Sequence, residues 1–330
     1  MSTLIIAEAG VNHNGSVATA KELCLSAKEA GADIVKFQTW VTEKLITPGV
    51  KQADYQIINT GCNETQFQML KRLELSYENF TEIKTYCDKI GITFASTADE
   101  QDSLDFLIRL GIPFIKIGSG EICNVPYLEH IGKQNKPIIL STGMASTEDI
   151  AFSLHILRSQ GAVDISLLHC TTSYPCPFDS VNLKAMQTLK NKFGLPVGYS
   201  DHTMGIEVPI SAVALGATII EKHFTLDKSL PGPDHSTSLE PYEFKQMVNS
   251  IRNIEKALGN GKKVPTKEEI KISNVVLKRI VAKKSIKKGS IIKAEDICTK
   301  RNDKGLLAKY WEKIIGTVAT KDYSVDDCIE

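Results

Sequence analysis

The sequence predicts an α/β protein, a (β/α)8 TIM barrel followed by a small β-rich domain. Three observations carry that prediction. Short β-rich apolar runs recur eight times along the first two thirds of the 330-residue chain. Each run is followed by polar residues and then by helical spacing, and the C-terminal tail abandons the rhythm.

The runs, in order, are Leu4 to Ala7, Asp33 to Phe37, Ile92 to Ala95, Pro113 to Ile117, Pro137 to Leu140, Asp164 to Leu168, Pro196 to Tyr199 and Ala217 to Ile220. Between them, Ala20, Leu23, Cys24 and Ala27 share one helical face. After the last run, Phe244, Met247, Val248, Ile251, Ile254 and Leu258 share another. The stretch from Thr39 to about Thr65 is long for a connection in a compact domain and is expected to form a flap on the substrate side. Beyond Leu258, Gly-Asn-Gly-Lys-Lys-Val-Pro-Thr reads as a helix stop and linker. The tail pairs Ile280-Val281, Ile291-Ile292 and Ile314-Ile315 with Lys-Lys-Gly and Gly-Thr turns, predicting irregular β structure with one helix near Lys309 to Lys313. The expected division is a barrel at 1–258, a linker at 259–276 and a small domain at 277–330.

Composition narrows the class. Lys plus Arg equal Asp plus Glu at 39 each, which removes a global electrostatic case for nucleic acid or membrane partners. From Leu277 onward, thirteen basic residues face eight acidic ones, so the tail carries +5 and the rest −5. No apolar run nears the roughly 20 residues of a membrane helix. The N-terminus lacks a basic segment ahead of its apolar stretch and reads as a first strand, which gives the expectation of a cytoplasmic protein. Eight scattered cysteines without a CxxC pair suit reduced thiols.

A barrel of this kind carries its chemistry at the C-terminal strand ends, and all eight ends are polar. His202 and His223 follow the seventh and eighth runs, neighbours in a closed barrel, and two imidazoles there can share a divalent cation with positions left open for Lewis-acid catalysis. Lys36, Lys116, Ser119, Ser141 and Ser200 can together surround a small dianion. Two other readings of the lysines stay open: pairing with carboxylates such as Glu8 or Glu121, or attack by Lys116 or Lys36 on a keto acid to form a Schiff base. Glu8, Glu121 and Asp234 are the carboxylates best suited to proton transfer or hydroxyl recognition. His13 and His169 read as scaffold.

Taken together, Ala7-Glu8-Ala9-Gly10-Val11-Asn12-His13-Asn14-Gly15, Val35-Lys36-Phe37-Gln38-Thr39, Lys116-Ile117-Gly118-Ser119-Gly120-Glu121, Leu140-Ser141-Thr142-Gly143-Met144, Ser200-Asp201-His202-Thr203, Glu221-Lys222-His223-Phe224-Thr225 and Gly232-Pro233-Asp234-His235 resemble the bacterial N-acetylneuraminate (sialic acid) synthase family, which includes legionaminic acid synthases. The tail resembles the antifreeze-like (SAF) domain of those enzymes. The resemblance implies condensation of phosphoenolpyruvate with N-acetylmannosamine, releasing phosphate by C–O cleavage, with a diacetamido sugar as the alternative acceptor. It implies Mn2+ or Mg2+ on His202 and His223. Lys36, Thr97, Lys116, Ser119, Ser141 and Ser200 correspond to phosphoenolpyruvate contacts. Glu8, Gln38, Tyr174 and Asp234 correspond to sugar contacts, and Glu121 to a proton-handling carboxylate. A domain-swapped homodimer is implied, each tail donating Arg301 to its partner's site. Here Arg301 is followed by Asn302-Asp303 where the family has Pro-Gly, and Thr172 stands where some members have Asn. Two rival classes remain: a Schiff-base lyase on the same barrel, and an ice-binding tail, which its many lysines disfavour.

Overall fold

The computed structural model describes residues 2–61 and 64–330, and the backbone alone of residues 54, 55 and 58. In chain order the elements are β1 (Leu4–Gly10), α1 (Val17–Glu29), β2 (Ile34–Thr39), α2 (Thr42–Leu45), α3 (Asp54–Thr60), α4 (Gln66–Leu73), α5 (Tyr77–Ile90), β3 (Thr93–Ala98), α6 (Gln101–Leu110), β4 (Ile115–Ile117), α7 (Val125–Gly132), β5 (Ile138–Ser141) and α8 (Thr147–Ser159). They continue with β6 (Ile165–His169), α9 (Ala185–Phe193), β7 (Val197–Asp201), α10 (Glu207–Ala214), β8 (Ile219–His223), α11 (Pro241–Leu258), α12 (Lys267–Val276), β9 (Lys278–Ala282), β10 (Ile297–Arg301) and α13 (Trp311–Ile314).

Strands β1 to β8 close into a parallel barrel in sequence order, with β1 pairing both β2 and β8. The predicted runs all become strands, but most extend further toward their C-terminal ends than the apolar residues do. The reason is the pairing itself. A polar residue at a strand end keeps its backbone in the ladder while its side chain enters the barrel, so Glu8 pairs with Lys36 and Ser200 with Glu221.

Period-two alternation sorts the side chains. Ile6, Ile34, Ala95, Phe114, Ile139, Leu168 and Ile219 form an apolar floor inside the barrel. Their neighbours along the strands, among them Ile5, Ala7, Val35 and Ile220, pack outward against the helices in the main core. Helix α1 starts at Ser16, whose side chain accepts from the Thr19 amide, and buries the predicted Ala20, Leu23, Cys24 and Ala27. Helix α11 buries Phe244, Met247, Val248 and Ile251, whereas Leu258 is exposed because the last turn outruns the barrel.

The chain separates into two compact units, residues 1–259 and 260–330. In the second, β9 and β10 pair antiparallel around Ile280, Ala282, Ile286, Ile292, Ile297, Ala319, Tyr323 and Ile329. The span read as linker carries helix α12. Its start was legible: Thr266 and Glu269 form a capping box. Among the described residues no helix is long and apolar enough to cross a membrane, and the cysteines other than Cys62, which lies outside them, are free thiols.

Candidate active site

One step above the apolar floor, the inward-facing residues become charged. A cavity of about 200 Å³ is lined by Glu8, Lys36, Gln38, Thr97, Asp99, Lys116, Ser119, Ser141, Ser200, Tyr174, His202, Glu221 and His223, with Gly118, Gly120, Met144, Cys170 and Thr172 completing it. Both lysines are buried. Lys36 Nζ sits 2.5 Å from Glu8 Oε2 and donates to Thr97 Oγ1 at 3.0 Å. Lys116 Nζ donates to Ser141 Oγ at 2.7 Å. Between them, Glu221 holds its two oxygens 3.7 Å from Lys36 and 3.5 Å from Lys116, and accepts from Ser200 Oγ at 3.0 Å. With three N–H groups apiece, each ammonium has at least one left for an incoming anion.

The electrostatics follow the packing. Burial pushes the Glu221 carboxyl up, but Lys116 and Lys36 together with the Ser200 hydroxyl outweigh it and hold it down at about 2. Burial raises Glu8, against the opposing pull of Lys36. Asp99 is pushed up to about 7, by burial first and then by Glu121. Burial alone would lower Lys36, yet Glu221 and Glu8 raise it above its ordinary value. A raised lysine stays an ammonium near neutrality, which argues against Lys36 as an imine-forming nucleophile.

His202 and His223 meet beside this cluster, their ring centroids 5.5 Å apart. Burial lowers both pKa values, so both imidazoles are neutral at physiological pH. His202 Nδ1 donates to the Thr171 carbonyl at 2.7 Å, which leaves its Nε2 with a lone pair. His223 Nδ1 is buried without a hydrogen-bond partner, 3.8 Å from Asp234 Oδ2. An oriented neutral imidazole beside an orphaned buried nitrogen fits a divalent cation, the donor type that cation takes. No three His, Cys, Asp or Glu side chains group as a metal cage among the described residues, and the positions the two imidazoles leave open suit water or substrate oxygen.

Behind the pair is a second, fully buried ion pair. Asp201 and Lys222 face each other in the β7–β8 register with Oδ2 and Nζ 2.5 Å apart. Because side chains alternate, this pair points away from the cavity that Ser200 and Glu221 line, and each partner immediately precedes one of the histidines.

A further cavity of about 180 Å³ shares Gln38, Tyr174 and His223 with the first and continues to Asp234, Pro233, Gln56, Val11, Met69, Leu70 and Leu73. Its polar side is ordered: Gln38 Nε2 donates to Glu8 Oε1 at 3.0 Å, and the Tyr174 ring lies 4.2 Å from that of His202. Asp234 is pushed up to about 7, mainly by burial and then by Glu8. The stretch predicted as a flap reaches the cavity through Gln56 of α3, and α4 just beyond it adds Met69, Leu70 and Leu73; residues 62 and 63 of the predicted flap lie outside the described residues. A larger hollow of about 550 Å³ lies between α8 and α9 and shares Met144, Cys170 and Thr172, but only Lys184 and His169 among its lining residues can carry positive charge. The chemistry therefore belongs to the smaller, charged cavity.

The barrel brings Lys36, Gln38, Thr97, Lys116, Ser119, Ser141, Tyr174, Ser200, His202, His223 and Glu8 to one wall, with Asp234 next door. Glu121 falls just outside it: the turn at 119–121 puts Ser119 and Gly120 on the wall, while the Glu121 carboxylate accepts from Asn124 Nδ2 at 2.5 Å. Arg301 ends β10 in the second unit with an exposed side chain. His13 is buried, its Nδ1 accepting from the Gly15 amide, and His169 bonds the Val181 carbonyl. The residues that sequence reasoning left without a role are Glu221 and Asp99. Alternation along β8 was the available signal for Glu221, two positions before His223 on the same face. Asp99 lies past the last paired residue of β3, where alternation no longer applies.

Comparison with known proteins places the chain in a family. The family model described as NeuB family matches residues 23–263, and that of the SAF domain matches residues 279–325. The chain is 51% identical to an N,N'-diacetyllegionaminic acid synthase of Campylobacter jejuni over 99% of its own length and 98% of the relative's. It is 47% identical to a protein of the same name from Legionella pneumophila, covering 96% and 90%. The crystal structure of an N-acetylneuraminic acid (sialic acid) synthetase from Leptospira borgpetersenii, solved with citrate, superposes with a TM-score of 0.72 at 36% identity, covering 84% of this chain and 93% of that one. The chain is therefore a member of the NeuB sialic acid synthase family, a TIM barrel followed along the chain by a SAF domain.

Proposed function

We propose that this protein condenses phosphoenolpyruvate with an open-chain 2,4-diacetamido-2,4,6-trideoxyhexose to give N,N'-diacetyllegionaminic acid and phosphate. The observation that carries the reading is the pair of buried ammonium groups, Lys36 and Lys116, ringed by Thr97, Ser119, Ser141 and Ser200 beside two neutral imidazoles. The acceptor follows the two relatives named legionaminic acid synthases, which support it better than the N-acetylmannosamine expected from the motifs.

In this mechanism the lysines and hydroxyls hold the phosphate and carboxylate of phosphoenolpyruvate in the charged cavity, and the sugar enters through the outer one. C3 of phosphoenolpyruvate attacks the aldehyde carbon, forming the new C–C bond. Positive charge develops at C2, water adds there, and the C–O bond to phosphate breaks. His202 and His223 would hold a divalent cation, which would supply Lewis-acid polarisation of the aldehyde. Glu8, raised by burial, gives the developing alkoxide a proton, and Glu121 takes one from the attacking water by way of the solvated rim. Gln38, Tyr174 and Asp234 orient the sugar hydroxyls and amides.

The working unit in this reading is a domain-swapped homodimer, with Arg301 of each tail serving the other's site. Support comes from α12, which buries none of its residues yet carries Ile270, Ile272, Val275 and Val276 exposed, a pattern that a second copy would cover. The deciding assay is phosphate release from phosphoenolpyruvate with the diacetamido sugar and with N-acetylmannosamine, before and after chelation. Release with the first at higher kcat/KM, lost on chelation, is expected; no release with either sugar overturns the reading.

A further inference from the structure

The outer cavity has an end that the synthase reading leaves without a task. Past Gln38, Tyr174 and Asp234 its wall turns largely apolar, built by Val11 and Pro233 with Met69, Leu70 and Leu73 of α4, Gln56 of α3 being the polar side chain among them with its Oε1 taken by the Ala53 amide. Met69 and Leu73 are locked into a buried cluster with Val11 and Trp40, and Leu70 packs against that cluster while keeping part of its surface free. The cations of α4 are engaged elsewhere: Lys71 pairs with Glu43 and Glu74, and Arg72 with Glu64. No lysine or arginine lines this cavity among the described residues, and its charged wall residue is the Asp234 carboxylate.

We propose that Leu70 is a specificity-determining residue, reading the far end of the acceptor and selecting an uncharged 6-deoxy carbon over a hydroxymethyl or phosphorylated one. The inference rests on the synthase reading. With the aldehyde carbon beside His223, an extended six-carbon chain passes its polar middle along Gln38, Tyr174 and Asp234 and ends on α4. A methyl group there removes apolar surface from water on both sides. A hydroxyl loses hydrogen bonds that Leu70 cannot replace, and a phosphate meets Asp234 with no lysine or arginine of this chain on the wall among the described residues.

The test compares kcat/KM for N-acetylmannosamine, its 6-deoxy analogue and its 6-phosphate, measured by phosphate release in the wild type and in Leu70→Met, Leu70→Ser and Leu70→Lys. The wild type and Leu70→Met should favour the 6-deoxy sugar over the parent by about 10- to 100-fold, and Leu70→Ser should bring the two within about 3-fold. Leu70→Lys should raise use of the 6-phosphate. Equal use of deoxy and parent sugars by the wild type, or an unchanged ratio in Leu70→Ser, overturns the role of Leu70 while leaving the synthase reading intact. Absence of phosphate release with these three acceptors and with the diacetamido sugar overturns both.

Discussion

Replacing Lys222 by Met tests whether the ion pair behind the histidines is what holds them in relation to each other. At 2.5 Å, with both side chains fully buried, the direct attraction is roughly 7 kcal/mol at an effective dielectric of about 20, most of it offset by desolvating the two ions. Removing only Lys222 keeps the desolvation of Asp201 and discards the attraction. The carboxylate then retains the Thr203 amide and hydroxyl, both on Oδ1 at 3.0–3.1 Å, and Oδ2 is left with the Thr203 hydroxyl at 3.0 Å. The expected cost is about 3–5 kcal/mol, the range for stranding one charge of a buried pair, which lowers Tm by roughly 6–20 °C in a domain of this size. Urea and thermal unfolding followed by circular dichroism measure it, and Mn2+ titration calorimetry on the same variant should show weakened binding, because His202 and His223 hang from the two strands the pair staples. The double variant Asp201→Asn with Lys222→Met should recover most of the stability, since neither partner then leaves a charge behind. A loss below about 1 kcal/mol in Lys222→Met, or a double variant less stable than the single one, refutes the reasoning.

Five other substitutions probe the cavity. His202→Ala and His223→Ala should each abolish turnover and Mn2+ binding by calorimetry with the far-ultraviolet spectrum unchanged; full activity in either would remove the pair from the chemistry. Lys116→Met should raise KM for phosphoenolpyruvate by about 10- to 100-fold, the worth of one charge-assisted hydrogen bond, and a KM within about 2-fold of wild type would place the anion elsewhere. Asp99 is an acid raised from 3.8 to about 7, so ionising it costs folded-state stability, and that cost accrues as pH climbs from about 4 to about 7. Asp99→Asn should therefore flatten the decline and gain about 1–4 kcal/mol at roughly pH 8 while gaining nothing near pH 4, measured by urea unfolding across that range. At Gly143 an added Cβ would lie 2.3 Å from Thr172 Oγ1 and 2.8 Å from Ser119 Oγ, so Gly143→Ala should displace the hydroxyl wall and lower kcat/KM by about 10²-fold or more, as misplacement of about 1 Å does elsewhere.

Much of this was legible because a barrel strand obeys a two-residue period. Once eight runs were recognised, the residues following each one had to converge on one rim, and the wall holding Lys36, Lys116, Ser141, Ser200, His202 and His223 is that convergence made physical. What the period could not convey was partner choice. Glu8 and Glu221 were visible as strand-end residues, but that one would contact Lys36 and the other would sit between both lysines depends on barrel closure, which brings β8 back beside β1. The direction of Glu121 was hidden for the opposite reason. It follows β4 after a tight turn, where spacing along the chain no longer fixes direction, and the turn aims it at Asn124. The helix at 267–276 was hidden by expecting burial to announce helices, whereas α12 buries nothing and is marked only by its cap.

The position of Glu221 explains how a site for a small dianion can exist before the dianion arrives. Two ammonium groups on the wall of a cavity of about 200 Å³ would repel each other and bear the full penalty of desolvation. Glu221 relieves that strain from 3.5 and 3.7 Å, near enough to attract both lysines and too far to occupy their N–H groups with short hydrogen bonds. Since Lys116 and Lys36 hold its carboxyl down at about 2, it stays ionised wherever the protein is folded and cannot be the group that adjusts when an anion binds. That adjustment falls to Glu8 and Asp99, both raised by burial and both on the same wall. An arriving anion adds negative charge beside them, raises them further and draws a proton onto the cluster. Binding of phosphoenolpyruvate in this family member should therefore weaken as pH rises past about 7, even though Lys36, raised above its ordinary value, stays an ammonium.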